Sequence, residues 1–500
     1  MADPLSTASR VATTSAVRRA AWLAAACAVA VSLLGLALRV EHALTFDGPK
    51  RGADYAVNVK GVYWMSTHWR PFDFTPEVST QVGYQPPLWF ALGAIILKIT
   101  GQERPIAWLA VIGWCVRQWL LWLLLRRAIP KHPWSRLAAL AVHAVLPISV
   151  LTDGKLNPEG LHTTLFMVAV YGLFCLEQEL RAQRFPQTCG QSVEASAYGA
   201  TLHSAILLGT FSGLAVMTKA TGGILPGIAG IVFAWQYYCM RSAHEPRDHL
   251  RGLWRAAAVA AVCWCIVAGW WCGPNLIKYH HPFPHIWNLR VRIHAPIWLR
   301  RSRDWILPFE WASYLRFPVI YTPQEPTPNF WATSVVGTWT DIYNRGFCRL
   351  QGGGTTDRVF GANWGPDYGA AWWVTWRCIH LFSKLAWVGL VLSIESTAAV
   401  IYVLWTHLRS RGEKGSLALP VAIGLVTFFV LLFALVYPFD SSVVLNPRYL
   451  LPAAAPMSAC LGIALANMPV APKLKVALHA LTLSLIGIVG ALVVYERWGS

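Results

Sequence analysis

Apolar segments of helical length recur along almost the whole chain and are separated by shorter polar connections. A helix needs about 20 mainly apolar residues to cross a bilayer, and segments near this length can be counted directly. There are eleven, at residues 21–38, 105–125, 136–150, 160–177, 200–217, 222–240, 256–274, 384–406, 417–437, 449–467 and 474–495. The pattern predicts an all-α polytopic membrane protein with about 11 transmembrane helices.

The composition excludes a water-soluble enzyme and also a disordered or fibrous chain. Of the 500 residues, 55% are hydrophobic and only 13% are charged, whereas soluble domains carry about 25% charged residues. The 42 basic and 24 acidic residues give a net charge of +18, which would suggest nucleic acid in a soluble chain. In a membrane protein this excess is typical of cytoplasmic loops that face anionic lipid. Membrane lipid is therefore an expected partner, and nucleic acid is not.

Basic residues gather in three short connections between predicted spans, at 126–136, 241–255 and 409–414. Cytoplasmic loops are enriched in Lys and Arg, so all three are predicted to be cytoplasmic. The first span then leaves the membrane on the outer side at Arg39, and the span 105–125 enters from that side. The apolar piece between them, from Pro86 to Thr100, must start and end outside. We predict that it forms a juxtamembrane helix along the outer leaflet.

The same topology divides the chain into four parts. They are a cytoplasmic N-terminus (1–20), an N-terminal transmembrane module (21–275) with a first outer loop (39–104), a large outer loop (276–383) and a group of C-terminal transmembrane helices (384–500). Both outer loops are too irregular for contact with the lipid core, so we expect them over or beside the helix bundle.

Six ionisable residues fall on the outer face under this topology. They are Asp47, Asp54, Asp153, Glu159, Lys219 and Arg448. Charges at a membrane are costly to bury unless they are paired, which makes each of them a candidate functional residue. Carboxylates close to cations suit an anionic substrate and a proton transfer. Lone histidines within the spans, such as His162, are interpreted as packing residues.

Each carboxylate also has a structural interpretation, and both interpretations stay open. A helical pattern begins after Gly52, so Asp54 shares a face with Asn58 and also suits the first turn of a helix. Asn157-Pro158-Glu159 has the form of an N-cap followed by two helical positions, where the helix dipole stabilises an acid. Asp153 equally suits a turn.

The two cations differ in how well local structure explains them. Lys219 ends an apolar span, where a lysine can satisfy the last carbonyls of a helix. Asn446-Pro447-Arg448 has the form of a cap and two helical positions, which places Arg448 against the positive end of a helix dipole. An external anion such as a phosphate explains this position, because helix N-termini and arginine both bind phosphate.

Four short motifs occur in a fixed order along residues 20–470. They are the acidic first loop with Asp54 followed by Tyr84-Gln85-Pro86-Pro87-Leu88-Trp89-Phe90, then Gly213-Leu214-Ala215-Val216-Met217-Thr218-Lys219, then Gly269-Trp270-Trp271-Cys272-Gly273-Pro274-Asn275 with Tyr279, and last Pro447-Arg448-Tyr449-Leu450-Leu451-Pro452. With the many-span layout, this set resembles the GT-C-type membrane glycosyltransferases, the group of protein O-mannosyltransferases and lipid A aminoarabinose transferases.

The resemblance implies a GT-C-like fold and a sugar donor linked to a polyprenyl phosphate. It also implies a multi-pass protein of the bacterial inner membrane with its active site on the periplasmic side. Asp54 matches the first-loop general base of such enzymes, and Asp47 is a rival for that role. Glu159 or Asp153 occupies the place where relatives often carry a second acid.

Further roles follow from the same resemblance. Lys219 and Arg448 have the charge and the side of the membrane that suit the donor phosphate, and Tyr84, Gln85 and Tyr449 are expected to line the substrate. The acceptor is a glycan, a lipid or a protein. Many relatives carry a second acid or a histidine where this chain has Asn58, so no cofactor is certain and a divalent metal stays open.

Two other functional classes fit a chain with many spans. A transporter or lipid flippase would also carry charged residues, but transporters usually show inverted repeats and broken helices near the midplane. Here no repeat is visible, and the charges gather at one predicted face. A non-catalytic scaffold that uses the large outer loop is the other alternative.

Overall fold

The computed structural model describes residues 4–45, 53–69, 85–185, 196–244, 247–282, 311–316, 330–340, 358–363, 371–436 and 447–498. In chain order, the helices are α1 (Pro4–Leu44), α2 (Ala53–His68), α3 (Leu88–Thr100), α4 (Trp108–Ala128), α5 (Pro133–Val145), α6 (Pro147–Asp153), α7 (Glu159–Arg184), α8 (Ser196–Thr218), α9 (Ile224–Ser242), α10 (Arg247–Tyr279), α11 (Trp311–Arg316), α12 (Phe330–Trp339), α13 (Trp376–Arg409), α14 (Ala418–Val436), α15 (Leu451–Asn467) and α16 (Pro472–Trp498). Short 3-10 turns cover Arg104–Ala107, Ala220–Gly223 and Pro447–Leu450. Strands β1 (Arg358–Asn363) and β2 (Ala371–Thr375) pair antiparallel, with Gly361 opposite Trp373.

Nine helical segments in the described ranges are long and apolar enough to cross a membrane, and they belong to α1, α4, α7, α8, α9, α10, α13, α15 and α16. The bent pair α5 and α6 is a tenth candidate. The eleventh predicted span coincides with α14, whose apolar part Ala418–Phe433 is shorter than the others. The prediction of an all-α polytopic membrane protein is confirmed, and the β1–β2 hairpin is a small addition in the segment predicted as the large outer loop.

The predicted span 136–150 is interrupted at Leu146. Helices α5 and α6 meet there at an angle of 52°, and Leu146 has φ −57° and ψ 113°. Pro147 explains the break, because proline disfavours the helical conformation of the residue before it and supplies no backbone donor. Helix α6 therefore takes a new direction, and Asp153 at its end lies inside the bundle.

Helix α3 corresponds to the predicted outer helix. Its 13 residues are about 20 Å long, too short for a hydrocarbon core of about 30 Å. It ends at Gly101, whose φ of 67° forms a left-handed C-cap. Its buried face packs on α2, where Val62 touches Gly93. The short helix is present, and its position along the outer leaflet stays a prediction.

Helix α7 forms the centre of the bundle. It is the most buried of the spanning helices that the structure describes, and it packs mainly on α8 and α4 with further contacts to α15 and α14. The part boundaries at 275 and 384 stay a prediction; α10 continues to Tyr279, and α13 begins at Trp376. The helices thus extend into the segment predicted as the large outer loop.

A buried triad of charges joins α1, α4 and α6. Arg39 Nε donates to Asp153 Oδ2 at 3.1 Å, and Arg117 donates to Asp153 Oδ1. Ser149 Oγ donates to Asp153 Oδ2 at 2.6 Å, and Arg39 Nη1 donates to the Ala144 carbonyl at 2.9 Å. All three charged side chains are fully buried. The triad therefore fixes three helices by charge rather than by apolar contact alone.

Helix α12, in the segment predicted as the large outer loop, packs onto the bundle. Trp339 Nε1 donates to Ser393 Oγ of α13 at 2.8 Å, and Phe330 lies in the main apolar core. The same helix contacts α6 and the turn Pro447–Leu450. This part of the loop is thereby tied to the end of the bundle where Asp153 lies.

Asp153→Asn removes the charge that holds Arg39 and Arg117 together. Breaking a buried ion pair from one side costs about 3–5 kcal/mol, so we expect a clearly lower unfolding temperature of the protein in detergent. Asp248→Asn is the matched control, because Asp248 pairs with Arg251 at 3.0 Å where the two side chains are 71% and 69% exposed, and exposed pairs contribute little. Equal unfolding temperatures of the two variants would contradict the role of the triad.

Gly389→Ala tests the docking of α12. A Cβ on Gly389 would lie 2.1 Å from Cγ of Trp339, so the tryptophan must move, and overpacking of this kind costs about 1–3 kcal/mol. We expect a lower unfolding temperature. Gly424→Ala in α14 meets nothing within 4 Å and should be neutral or stabilising, because alanine is the better helix former. A Gly389→Ala protein as stable as the wild type would show that α12 does not pack on α13 in this way.

Candidate active site

Three of the predicted charged residues meet at one carboxylate oxygen. Glu159 is the first residue of α7, Lys219 follows the end of α8, and Arg448 lies in the turn before α15. Lys219 Nζ donates to Glu159 Oε1 at 3.0 Å, and Arg448 Nε lies 3.3 Å from the same oxygen. Two cations thus share one carboxylate, and the cluster carries one net positive charge.

The cluster is partly open, unlike the triad behind it. The side chain of Glu159 is 7% exposed, whereas those of Lys219 and Arg448 are 22% and 16% exposed. The Tyr449 ring lies beside both cations, with its centroid 4.6 Å from Lys219 Nζ and 5.3 Å from Arg448 Cζ. Glu159 Oε2 is buried without a hydrogen-bond partner among the described residues. A site of this kind can receive an anion from one side.

The position of Lys219 is set by a tight turn at the end of α8. Lys219 is extended, with φ −157° and ψ 137°, and the chain continues into the turn Ala220–Gly223. A Cβ on Gly222 would lie 2.4 Å from the Val216 nitrogen, so only glycine allows this close approach. The turn therefore packs against the last residues of α8, and Lys219 reaches Glu159 of α7.

His162 supports the same turn and was missed as a site residue. It is fully buried one helical turn after Glu159, and its Nδ1 donates to the Ala215 carbonyl at 3.2 Å. Its Nε2 lies 3.0 Å from Thr221 Oγ1 and, when the imidazole is neutral, accepts a hydrogen bond from that hydroxyl. The two partners flank Lys219 in the chain. The spacing of three residues from Glu159 was the available signal, and a lone histidine in an apolar span is ordinarily a packing residue.

Asp153 lies on the other side of the first turn of α7. Gly160 follows Glu159 and packs closely on its neighbours. If Gly160 carried a Cβ, that atom would lie 3.5 Å from Asp153 Oδ1 and 2.4 Å from the Ala110 Cβ of α4. Both oxygens of Asp153 are engaged within the triad. The structure therefore brings Glu159 together with the two cations and holds Asp153 with Arg39 and Arg117 instead.

Helix α2, in the segment predicted as the first outer loop, lies at this end of the bundle. Asp54 is its second residue, and Asn58, one turn later, donates from Nδ2 to the Leu156 carbonyl at 3.1 Å. Tyr55 donates its hydroxyl to Glu103, and burial together with this hydrogen bond raises the pKa of the Tyr55 phenol. The start of α2 is thus anchored beside the segment that leads into Glu159.

The remaining motif residues differ in how far they are described. Asp47 and Tyr84 lie outside the described residues, and Gln85 is half-buried before α3. Leu88 packs on an apolar cluster that contains Met217 of the second motif and Trp271 of the third. The motifs therefore converge at one end of the bundle. Among the residues that the structure describes, no three His, Cys, Asp or Glu side chains are grouped so that they could hold a metal ion.

Comparisons with known proteins give matches among solved structures. No protein-family model and no curated protein sequence matches the chain. The apo crystal structure of the oligosaccharyltransferase of Archaeoglobus fulgidus matches with a TM-score of 0.50 and 14% identity, covering 95% of this chain and 56% of that chain. This chain thus spans little more than half the length of that enzyme.

Two structures of ArnT from Cupriavidus metallidurans also match, at 13% identity. The one bound to undecaprenyl phosphate has a TM-score of 0.37 and covers 95% of this chain and 77% of that chain. The apo structure has a TM-score of 0.38 and covers 97% of this chain and 78% of that chain. At these identities the likeness concerns the fold. The chain has the fold of the GT-C-type membrane glycosyltransferases, as the resemblance of its motifs implies.

Proposed function

We propose that this protein is a glycosyltransferase that moves a sugar from a polyprenyl phosphate donor to an acceptor at the outer face of the membrane. The observation that carries the proposal is the convergence of Lys219 and Arg448 on Glu159. These cations come from distant parts of the chain and meet at a partly exposed position. The GT-C-type fold supports a transferase over a transporter or flippase.

The charge of the cluster suits a phosphate diester. Lys219 and Arg448 contribute two positive charges and Glu159 one negative charge, which leaves one charge for a ligand to neutralise. A sugar linked to a polyprenyl monophosphate carries one negative charge at its phosphate, whereas a diphosphate linkage carries two. A ligand with one negative charge would neutralise the cluster, and neutralisation lowers the cost of keeping its charges partly buried. The balance therefore favours the monophosphate donor.

Transfer then follows as a single displacement. Asp54 accepts the proton of the acceptor hydroxyl while the hydroxyl oxygen bonds to the anomeric carbon of the sugar. The bond between that carbon and the phosphate oxygen breaks, and its electron pair leaves with the polyprenyl phosphate. Lys219 and Arg448 stabilise the charge that develops on the departing phosphate. One displacement at one carbon inverts its configuration, and no covalent enzyme intermediate forms.

The other acids receive supporting roles. Glu159 is the counter-charge that holds Lys219 and Arg448 together against their mutual repulsion, and Asp153 positions the first turn of α7 through the triad. Asp47 remains the rival base. A divalent metal is not required by this scheme.

Substrate contacts and location complete the proposal. Tyr84, Gln85 and Tyr449 line the substrate, and the acceptor is a glycan, a lipid or a protein. The protein belongs to the bacterial inner membrane, with its active site on the periplasmic side. A long lipid donor reaches the site from the outer leaflet, which agrees with the partial exposure of the two cations.

Lys219→Met tests the donor site and its charge balance. Loss of one such electrostatic group lowers turnover by about 10²–10³-fold, and we expect this loss in the release of polyprenyl phosphate from labelled donors. Glu159→Gln in the Lys219→Met protein restores one net positive charge and should recover part of the donor binding. Lys60→Met is the matched control, because Lys60 is exposed on α2.

Two results of this experiment would contradict the donor site. One is a Lys219→Met protein that consumes donor as fast as the Lys60→Met control. The other is donor binding that falls further when Glu159→Gln is added, since the charge balance predicts the opposite. Uptake of the intact donor into sealed vesicles without cleavage would identify a transporter instead.

Asp54→Asn tests the general base. Removal of such a base slows transfer by about 10²–10⁴-fold, while donor binding measured with unreactive polyprenyl phosphate should stay at the wild-type level. Asp47→Asn is the matched comparison in the same loop. Normal transfer by Asp54→Asn together with loss in Asp47→Asn would move the role to Asp47, and normal transfer by both would overturn the mechanism.

A further inference from the structure

The basic connection at 126–136 differs from the other two in that it contains no acidic residue. The connection at 241–255 contains Glu245 and Asp248, and the one at 409–414 contains Glu413. The segment 468–475, which leads into α16, also has no acid and contains two lysines. Two acid-free basic segments therefore occur at the ends of helices.

The structure brings these two segments together at one end of the bundle. Ser135 Oγ of α5 donates to His479 Nε2 of α16 at 2.8 Å. At the other end of the same helices, Val145 Cγ1 lies 3.6 Å from a Cβ built on Gly490. Helices α5 and α16 thus run in the same direction, and both begin at the face that the basic connections mark as cytoplasmic.

Five cations collect around these two helix starts, and they define the basic cluster: Arg126, Lys131, Arg136, Lys473 and Lys475. Lys131, Lys475 and Arg136 are close enough to His132 to lower the pKa of its imidazole, after the larger effect of burial. Lys475 also donates to the Ala466 carbonyl. In the described part of the chain, none of the five makes an ion pair with a carboxylate.

The helix dipoles add to this charge. A helix carries about half a positive charge at its N-terminus, where acids are favoured. The first turns of α5 and α16 contain no acid, and instead Arg136 and Lys473 lie there. The cluster is thus strongly positive, and no carboxylate among the described residues pairs with its cations, so an external anion suits it.

The surroundings identify the kind of anion. Leu474 and Val476, which alternate with the two lysines of α16, are 50% and 70% exposed. Arg126 Cζ lies 5.3 Å from the Trp122 ring centroid, an arrangement common at membrane interfaces. Apolar side chains beside cations suit a molecule with a phosphate and hydrocarbon chains, and a soluble phosphate would leave the apolar side chains without a partner.

We propose that the basic cluster binds the headgroup of an anionic glycerophospholipid of the cytoplasmic leaflet, with the acyl chains along the exposed apolar side chains of α16. The headgroup phosphate lies between the starts of α5 and α16. This site is separate from the proposed donor site, which lies at the other end of the helix bundle. Its test needs no transfer activity.

The test compares two double variants of the full-length protein in detergent. Lys131→Gln with Lys473→Gln removes two exposed charges from the cluster, and Arg251→Gln with Arg255→Gln removes two exposed charges from the 241–255 connection. Phosphatidylglycerol binding is measured by native mass spectrometry, with phosphatidylcholine as the zwitterionic lipid. Each cation near a membrane surface strengthens binding to anionic lipid, so we expect a loss of about tenfold to thirtyfold in the cluster variant. The control variant should bind as the wild type does.

Three outcomes would overturn the proposal. The first is an equal loss in both double variants, which would mean that net charge alone governs lipid binding. The second is unchanged phosphatidylglycerol binding in the cluster variant. The third is wild-type protein that is stabilised against heat as strongly by glycerol phosphate as by phosphatidylglycerol, because the occupant would then be a soluble anion. Unfolding temperatures of both variants, measured without added lipid, verify that each is folded.

Discussion

Charge inside a membrane protein is stable only when opposite charge or hydrogen bonds match it, and the end of the bundle that holds Asp153 and Glu159 is organised by that requirement. Asp153 is fully enclosed by two arginines and a serine. One turn of α7 away, Glu159 is matched by two cations that remain partly exposed. The first arrangement is closed and ties helices together, and the second leaves a positive charge facing outward. Both arrangements pair two cations with one acid. The degree of burial, and not the number of charges, therefore distinguishes the structural triad from the proposed donor site.

Helix α7 connects this end of the molecule with the opposite one. Near its C-terminal part, the buried Glu177 accepts hydrogen bonds from Ser416 Oγ at 2.5 Å and from the Leu417 nitrogen at 2.8 Å, and so caps the start of α14. Helix α14 leads toward the segment before Arg448, while α7 itself begins at Glu159. A carboxylate at each end of α7 therefore sets the position of a neighbouring part of the chain: α14 at one end, and Lys219 with Arg448 at the other.

Hydropathy was sufficient to predict the spans, because the cost of placing polar residues in lipid acts on each segment separately. It did not predict the break at Leu146, since a proline within an apolar run barely changes the average hydropathy. The position of Arg448 at the positive end of a helix makes it a candidate phosphate-binding residue, and the structure places its Nε 3.3 Å from Glu159 Oε1. The grouping of Glu159 with Lys219 and Arg448, and the separation of Asp153 from them, depend on contacts between distant segments. No local pattern contains that information, and for the same reason His162 was interpreted as a packing residue.

The order of these residues along the chain has a consequence for biosynthesis. Chains generally fold from the N-terminus as they are made, so Glu159 and Lys219 are inserted well before Arg448. An incomplete chain can form only the Glu159–Lys219 pair, which is neutral and offers little attraction to an anion. The positive charge of the site arises when the turn before α15 joins the bundle. A nascent chain in the membrane would therefore not attract anionic lipids to this position until Arg448 has been synthesised and has joined the bundle.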